Sequence, residues 1–318
     1  VPELPEVEVV RAGLAPAVTG ATILGADVLD SRALTRHVGD PASFEAAVTG
    51  RRVISAARRG KFLWLPLVEG RVDGRVDGRA DDGGAGGAGE EEAIVAHLGM
   101  SGQLLLRSPG AAAERHERIR LHIAHPDHGE LAVVFADQRT FGSLAVDRLV
   151  ATGDGAPGGR GTDAAATPSQ VAHIARDPLD PAFSDTGFRA RLARTSSAIK
   201  RVLLDQTVVS GIGNIYADES LWAARIHPET AADSLSTRAV NRLLDEVRIV
   251  LERALAEGGT SFDAQYVNVN GQAGYFAHSL RAYGRTGEPC LRCGRPIVRV
   301  SFTNRSSHYC AHCQRRPR

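Results

Sequence analysis

Apolar residues recur every three or four positions over residues 3–15, where Val7, Val10 and Leu14 share one face. The spacing predicts a helix. Pro2 and Pro5 suit its first turn, where a backbone N–H has no intrahelical partner. From residue 21 to about 141 the pattern changes to short apolar runs with a period of two. They fall at 52–57, 62–67, 94–98, 103–106, 119–123 and 131–135, separated by Gly, Asp and Pro. This predicts a β-rich domain, a sandwich of mostly antiparallel strands. From about residue 178 the helical spacing returns, at 188–194, 198–204, 215–224 and the longer 237–257.

Two stretches break the pattern. In 70–92 the text Arg-Val-Asp-Gly occurs twice, at 71–74 and 75–78, then decays into a Gly/Ala/Asp run and three glutamates. Such composition buries no core and predicts a disordered insertion at a hairpin. A polar, Gly-rich stretch at 152–168 predicts an interdomain linker. The expected organisation is an α+β multidomain chain. It divides into a domain at 2–150, a linker at 151–176, a helical domain at 177–284 and a terminal module at 285–318.

With 318 residues, either half is long enough to build a core without disulfides. No run approaches 18 apolar residues, so no membrane-spanning helix is expected. The start is acidic at once and lacks a basic region before an apolar run, so a cytoplasmic protein is expected rather than a secreted one. The net charge of +1 hides an asymmetry. Residues 69–92 hold eight acids against three arginines, and residues 285–318 hold eight arginines against one acid. A basic terminal module fits a polyanion, although a solvated tail has the same composition. Only two lysines occur, Lys61 and Lys200. Arginine stays charged at any working pH whereas lysine can exchange a proton, which makes both candidates for proton transfer.

The four cysteines, Cys290, Cys293, Cys310 and Cys313, form a Cys-x2-Cys-x16-Cys-x2-Cys pattern. Two such knuckles predict one structural Zn2+ with four thiolate ligands and no open position. Between them 297–300 and 308–309 predict a β-hairpin with Arg305 near its turn. The sequence Ser210-Gly-Ile-Gly-Asn214 precedes a helical segment. Its free backbone N–H groups can hold a phosphate, or its glycines can serve close helix packing. Pro2 carries a secondary amine if residue 1 is removed. It is then a nucleophile for a sugar carbon with Glu3 beside it as a proton source, or simply a good helix start.

Taken together, these features resemble the formamidopyrimidine-DNA glycosylase family of bifunctional base-excision repair enzymes. The resemblance rests on Pro2-Glu-Leu-Pro-Glu-Val7, Arg58-Arg-Gly-Lys-Phe-Leu63, His97-Leu-Gly-Met-Ser-Gly102 and Asp137-Gln-Arg-Thr-Phe-Gly142. It continues through Ile199-Lys-Arg-Val-Leu-Leu-Asp-Gln206, Gly211-Ile-Gly-Asn-Ile-Tyr-Ala217, Gly274-Tyr-Phe276, Tyr283-Gly-Arg285 and the cysteine knuckles with Asn304-Arg305. It implies an N-terminal helix and β-sandwich, then a helix-two-turns-helix domain with a zinc finger. The implied partner is duplex DNA containing oxidised bases or abasic sites, bound in the cleft by a monomer with the damaged nucleotide flipped out.

Residue by residue, the resemblance makes Pro2 the nucleophile at C1′ and Glu3 the proton donor to the sugar oxygen. Lys61 is the lysine on a hairpin that approaches the lesion. Asn214 and Arg305 grip the phosphates on either side of the flipped nucleotide, Arg305 being counted with the catalytic set. Met100, Arg139 and Phe141 fill the vacated space in the duplex, and His116 and Lys200 face DNA. The implied reaction is excision of oxidised purines followed by strand cleavage. The competing readings are an endonuclease VIII-like enzyme for oxidised pyrimidines and a DNA-binding paralogue without chemistry. Thr140, 175–179 and the lid-like 261–275 depart from the family's commonest pattern.

Overall fold

The computed structural model of the chain describes residues 2–70, 91–113, 115–260, 269 and 276–316. The 261–275 segment, Val269 excepted, and most of the 70–92 insertion lie outside the described residues. Helix α1 (Leu4–Val18) leads into strands β1 (Thr22–Val28), β2 (Arg51–Val53), β3 (Ala57–Arg59), β4 (Phe62–Glu69), β5 (Glu92–His97), β6 (Gly102–Arg107), β7 (Glu117–His125), β8 (Gly129–Asp137), β9 (Ser143–Ala151) and β10 (Ala166–Pro168). Helix α2 (Pro41–Val48) stands between β1 and β2. Then come α3 (Asp185–Leu192), α4 (Ile199–Leu204), α5 (Asn214–Ala224), α6 (Thr237–Ala256) and the hairpin of β11 (Val298–Phe302) and β12 (Arg305–Tyr309).

The ten N-terminal strands pair antiparallel in the order β10-β9-β5-β4-β2-β1-β7-β8-β6, with β3 on β4. The short β2 joins two halves whose apolar faces share one core. Leu63, Leu65, Ile94 and Leu144 come from one half, Ile23, Leu121, Val133 and Phe135 from the other, with Val7, Val10 and Leu14 of α1 packed among them. A sheet that folds over its own apolar face is the sandwich that period-two alternation predicts. A second core holds the helical domain, and Leu4 of α1 belongs to it. The first helix therefore starts in one domain and ends in the other.

Two expectations need correction. Helix α2 lies inside the stretch expected to be β-rich, where no helix was expected. Its signal is Asp40-Pro41: Asp40 accepts the Ser43 N–H as a cap, and proline opens the first turn. The 152–168 stretch is not a free tether. Its β10 pairs with β9, and Arg58 and Arg160 exchange two backbone hydrogen bonds of 2.9 Å. A Cβ on Gly159 would stand 2.8 Å from the Trp64 ring and 2.2 Å from the Arg58 carbonyl. The glycines that suggested flexibility are there for close packing.

Buried arginines fasten this layer to the helical domain. Arg58 donates to Glu8 of α1 at 2.8 Å and to Asp177 at 2.9 Å. Arg59 donates to the Gly158 carbonyl, while Arg176 reaches both Asp154 and Asp180. The pattern 175–179 departs from the family's usual text, yet Asp177 still meets Arg58 with a carboxylate. Removing one member of a buried ion pair leaves its partners unpaired, at about 3–5 kcal/mol. Arg58→Ala should therefore lower the unfolding free energy by that amount in a denaturant titration. A loss below about 1 kcal/mol would show that water replaces the guanidinium freely.

Candidate active site

The first turn of α1 reaches across to the helical domain. Leu4 N–H donates to the Gly211 carbonyl at 2.9 Å. The Glu3 carboxylate accepts backbone N–H groups from Gly213 at 2.6 Å, Ile215 at 3.0 Å and Tyr216 at 3.3 Å. These are among the donors that a helix start leaves unpaired, and the α5 dipole favours a negative charge there. A Cβ on Gly213 would lie 2.3 Å from Glu3 Cδ, and one on Gly211 would lie 2.7 Å from Leu4 Cβ. The sequence left open whether this turn holds a phosphate or serves packing. Its backbone donors hold the protein's own Glu3, so for a phosphate the turn offers the Asn214 side chain. The Asn214 Oδ1 is buried and has no partner among the described residues.

Sequence reasoning missed the layer beneath. Glu6 accepts Glu3 N–H at 2.9 Å through one oxygen. Its other oxygen accepts the Tyr216 hydroxyl at 2.6 Å and Thr260 N–H at 2.7 Å. The available signal was a glutamate three residues into the helix, the spacing of a capping box.

Pro2 and Glu3 are buried, and Lys61 is half-buried on the turn between β3 and β4. That turn rests on the helical domain, since a Cβ on Gly60 would lie 2.7 Å from Ser210 Cβ. Burial raises the Glu3 carboxyl above its ordinary pKa range, with Lys61 and the backbone donors opposing. Burial lowers the Lys61 amine from its ordinary range; Glu3 opposes this and Arg305 adds to it. A carboxyl shifted up and an amine shifted down, side by side, suit general acid–base chemistry.

The strand register brings three loops to this end of the sheet. Phe62 pairs with His97 and His97 with Ser143, while Gly102 pairs with Asp137. Lys61, Met100 and the Arg139–Phe141 tip therefore emerge side by side. Asp137 is buried and ties two of the loops. It accepts from Ser101 at 2.5 Å, from Arg139 N–H at 3.1 Å and from Gly142 N–H at 2.7 Å. Burial, with Arg36 and Lys61 nearby, drops the His97 pKa to about 4, so its neutral ring can accept the Gly99 N–H at 3.2 Å. On this support Phe141 is 64% exposed and Met100 40%, with Arg139 3.8 Å from the Met100 sulfur. Apolar side chains presented this way fit insertion into a base stack. His116 is half-buried, and its Nε2 has no partner among the described residues. It lines a concavity with Ser101, Gln103 and Arg115 beside the same loops.

The four cysteine sulfurs lie within 4.8 Å of one another. Tetrahedral zinc with bonds of about 2.3 Å places its thiolates about 3.8 Å apart, so the cluster fits the ion. Cys290 also accepts the Trp222 indole N–H at 3.4 Å. Arg305 begins β12 and is exposed at the hairpin turn, as expected. Lys200 is placed differently from its expected DNA-facing position. It is fully buried, with its ammonium bonded to Asp218 at 2.6 Å, the Ser306 carbonyl at 2.8 Å and the Ser307 hydroxyl at 2.9 Å. All three N–H bonds are directed into the protein.

Residues 1–144 match the formamidopyrimidine-DNA glycosylase N-terminal domain, residues 174–265 its H2TH domain and residues 287–316 the zinc finger found in FPG and IleRS. Formamidopyrimidine-DNA glycosylase of Leifsonia xyli subsp. xyli is 63% identical over 99% of each chain. That of Thermobifida fusca is 51% identical, covering 100% of this chain and 98% of its own. The chain belongs to the formamidopyrimidine-DNA glycosylase family. Among solved structures it is similar to Lactococcus lactis Fpg in complex with abasic-site DNA. That likeness has a TM-score of 0.75 at 27% identity, over 99% of this chain and 100% of the other. The same Lactococcus protein in complex with DNA containing an oxidised pyrimidine gives a TM-score of 0.75 at 28% identity, with the same coverage.

Thr140, a departure from the family's commonest pattern, has a φ of 56°. A β-branched residue in the left-handed region is strained, and here it separates the two exposed side chains of the tip. The chain carries an acid directly after its proline. Gly213→Ala tests how that acid is placed, because its methyl must displace the Glu3 carboxyl. Single-turnover cleavage of abasic DNA should fall about 100-fold, the scale of an ångström misplacement, with the fold retained. Unchanged cleavage would mean that Glu3 does not need the α5 terminus.

Proposed function

We propose that this chain excises oxidised purines, 8-oxoguanine and formamidopyrimidines, from duplex DNA and then cleaves the abasic strand by β,δ-elimination. The Glu3 carboxyl, buried on the α5 terminus directly after Pro2 and opposite Lys61, carries the reading. With residue 1 removed, the Pro2 nitrogen attacks C1′ and the bond to the base breaks, its electron pair leaving with the base, which takes up the proton that the Pro2 nitrogen gives up. Glu3 gives its proton to the sugar ring oxygen, the ring opens, and the nitrogen lone pair completes an iminium at C1′. Once C1′ is an iminium, the 2′ proton is acidic enough for a base to remove, and the 3′ phosphate leaves.

Lys61 stands within the field of Glu3 and stabilises negative charge at the lesion. Asn214 and Arg305 hold the flanking phosphates, and Met100, Arg139 and Phe141 occupy the gap in the stack. His116 contacts the duplex beside them. Zinc, when bound, supplies the four-thiolate crosslink that fixes the base of the Arg305 hairpin. The complete set comes from a single chain, which supports a monomer. No helix among the described residues is long and apolar enough to cross a membrane. The bacterial cytoplasm, where the chromosome is accessible, is the proposed location. The second reading, oxidised pyrimidines, draws support from the Lactococcus protein, whose complexes include such a lesion. The DNA-binding paralogue without chemistry is disfavoured by the retention of Pro2, Glu3 and Lys61 together.

Borohydride reduction during turnover on 8-oxoguanine DNA should leave one covalent adduct, and peptide mapping should place it on Pro2 as the N-terminal residue. An adduct on Lys61 or Lys200 would overturn the assignment. Parallel duplexes with thymine glycol rank the two substrate readings by rate.

A further inference from the structure

We infer that the buried Lys200–Asp218 ion pair sets where Arg305 stands relative to Asn214. Lys200 and Asp218 are thus positioning residues of the DNA grip. Lys200 lies on α4 and Asp218 on α5, both fully buried, with Nζ 2.6 Å from Oδ1. The remaining bonds of the pair converge on β12. Lys200 donates to the Ser306 carbonyl and the Ser307 hydroxyl. The second Asp218 oxygen accepts His308 N–H at 2.8 Å and lies 3.2 Å from His308 Nδ1. One ion pair therefore holds three consecutive residues directly after Arg305. The Phe302 ring, opposite Arg305 in the hairpin register, lies 5.3 Å from the same ammonium.

Asp218 stands one helical turn from Asn214, on the same face of α5. The N-terminus of that helix also holds Glu3. The two residues proposed to hold phosphate and the proposed acid are thus referenced to one rigid element. The zinc ligands cannot set this spacing alone. Cys310 is five residues beyond Arg305, about 17 Å along an extended strand, so the metal fixes the base of the hairpin while its tip is free to pivot. Stability alone does not account for the pair either, since well-packed apolar residues commonly replace a buried ion pair without loss. What an apolar pair lacks is the set of directed bonds to β12.

The inference rests on the reading that Arg305 grips a phosphate, and a double-mutant cycle separates the two. The full-length zinc protein, Arg305→Ala, the pair replacement Lys200→Met with Asp218→Leu, and the triple variant are compared for binding to a duplex carrying an abasic analogue. Zinc content and thermal midpoint are measured for each. In the parent, Arg305→Ala should weaken binding about tenfold and lower the salt slope by about 0.9, the value for one phosphate contact. With the pair replaced and zinc retained, Arg305→Ala should cost less than about twofold. An equal cost in both backgrounds overturns the inference. No cost in the parent overturns the phosphate reading on which it rests. If the pair replacement loses zinc, the cycle is run with Asp218→Asn, which keeps an acceptor for His308 N–H, and the same outcomes decide.

Discussion

A single carboxylate at a helix terminus organises this protein. Glu3 tolerates burial without a cation in direct contact because three backbone N–H groups and the α5 dipole receive it. That placement does two jobs at once. It joins the sandwich to the helical domain, and it delivers the residue after Pro2 to a desolvated position where its proton is held above the usual carboxyl range. The glycines at 211 and 213 exist for this approach, and Glu6, Tyr216 and Thr260 close the polar layer beneath it.

The other contacts across the interface follow from the same demand for a fixed geometry. Arg58 spans Glu8 and Asp177, so the lysine-bearing turn is held from its own strand outward. Asp137 performs the corresponding task for the exposed tip. It accepts two backbone N–H groups from its own loop and the Ser101 hydroxyl from the neighbouring one, so Met100, Arg139 and Phe141 can be presented to solvent without collapsing on the sheet. Thr140, between two of those side chains, is held in the left-handed region. The exposed groups are few, and each stands on a buried polar support.

The elements legible in the sequence are those with local causes. The helices at α3 to α6, the hairpin with Arg305 at its turn and the cysteine cluster follow from periodicity and ligand spacing. The family and its fold were legible from motifs spread along the chain, and the comparisons agree. What the sequence hid depends on partners distant along the chain. Glu6 looks like a surface residue of an amphipathic helix until Tyr216 and Thr260, more than 200 residues away, arrive against it. Lys200 looks like a free cation in an arginine-rich chain until Asp218 and β12 enclose it. The glycines at 158 and 159 look like a linker until Trp64 packs against them. Helix α2 was missed despite a local signal, the Asp40-Pro41 start.

The central claim is that the Glu3 carboxylate is physically engaged by the α5 terminus across the domain boundary. Amide hydrogen exchange at Gly213, Ile215 and Tyr216, compared between the parent and Glu3→Ala, tests it most directly. Removing the acceptor should speed exchange at these three amides by at least about tenfold, a loss of about 1.4 kcal/mol of local protection, while the sandwich core keeps its rates. Unchanged exchange at Gly213 and Ile215 would show that the helix start finds its partners elsewhere, and the account built on Glu3 would fall.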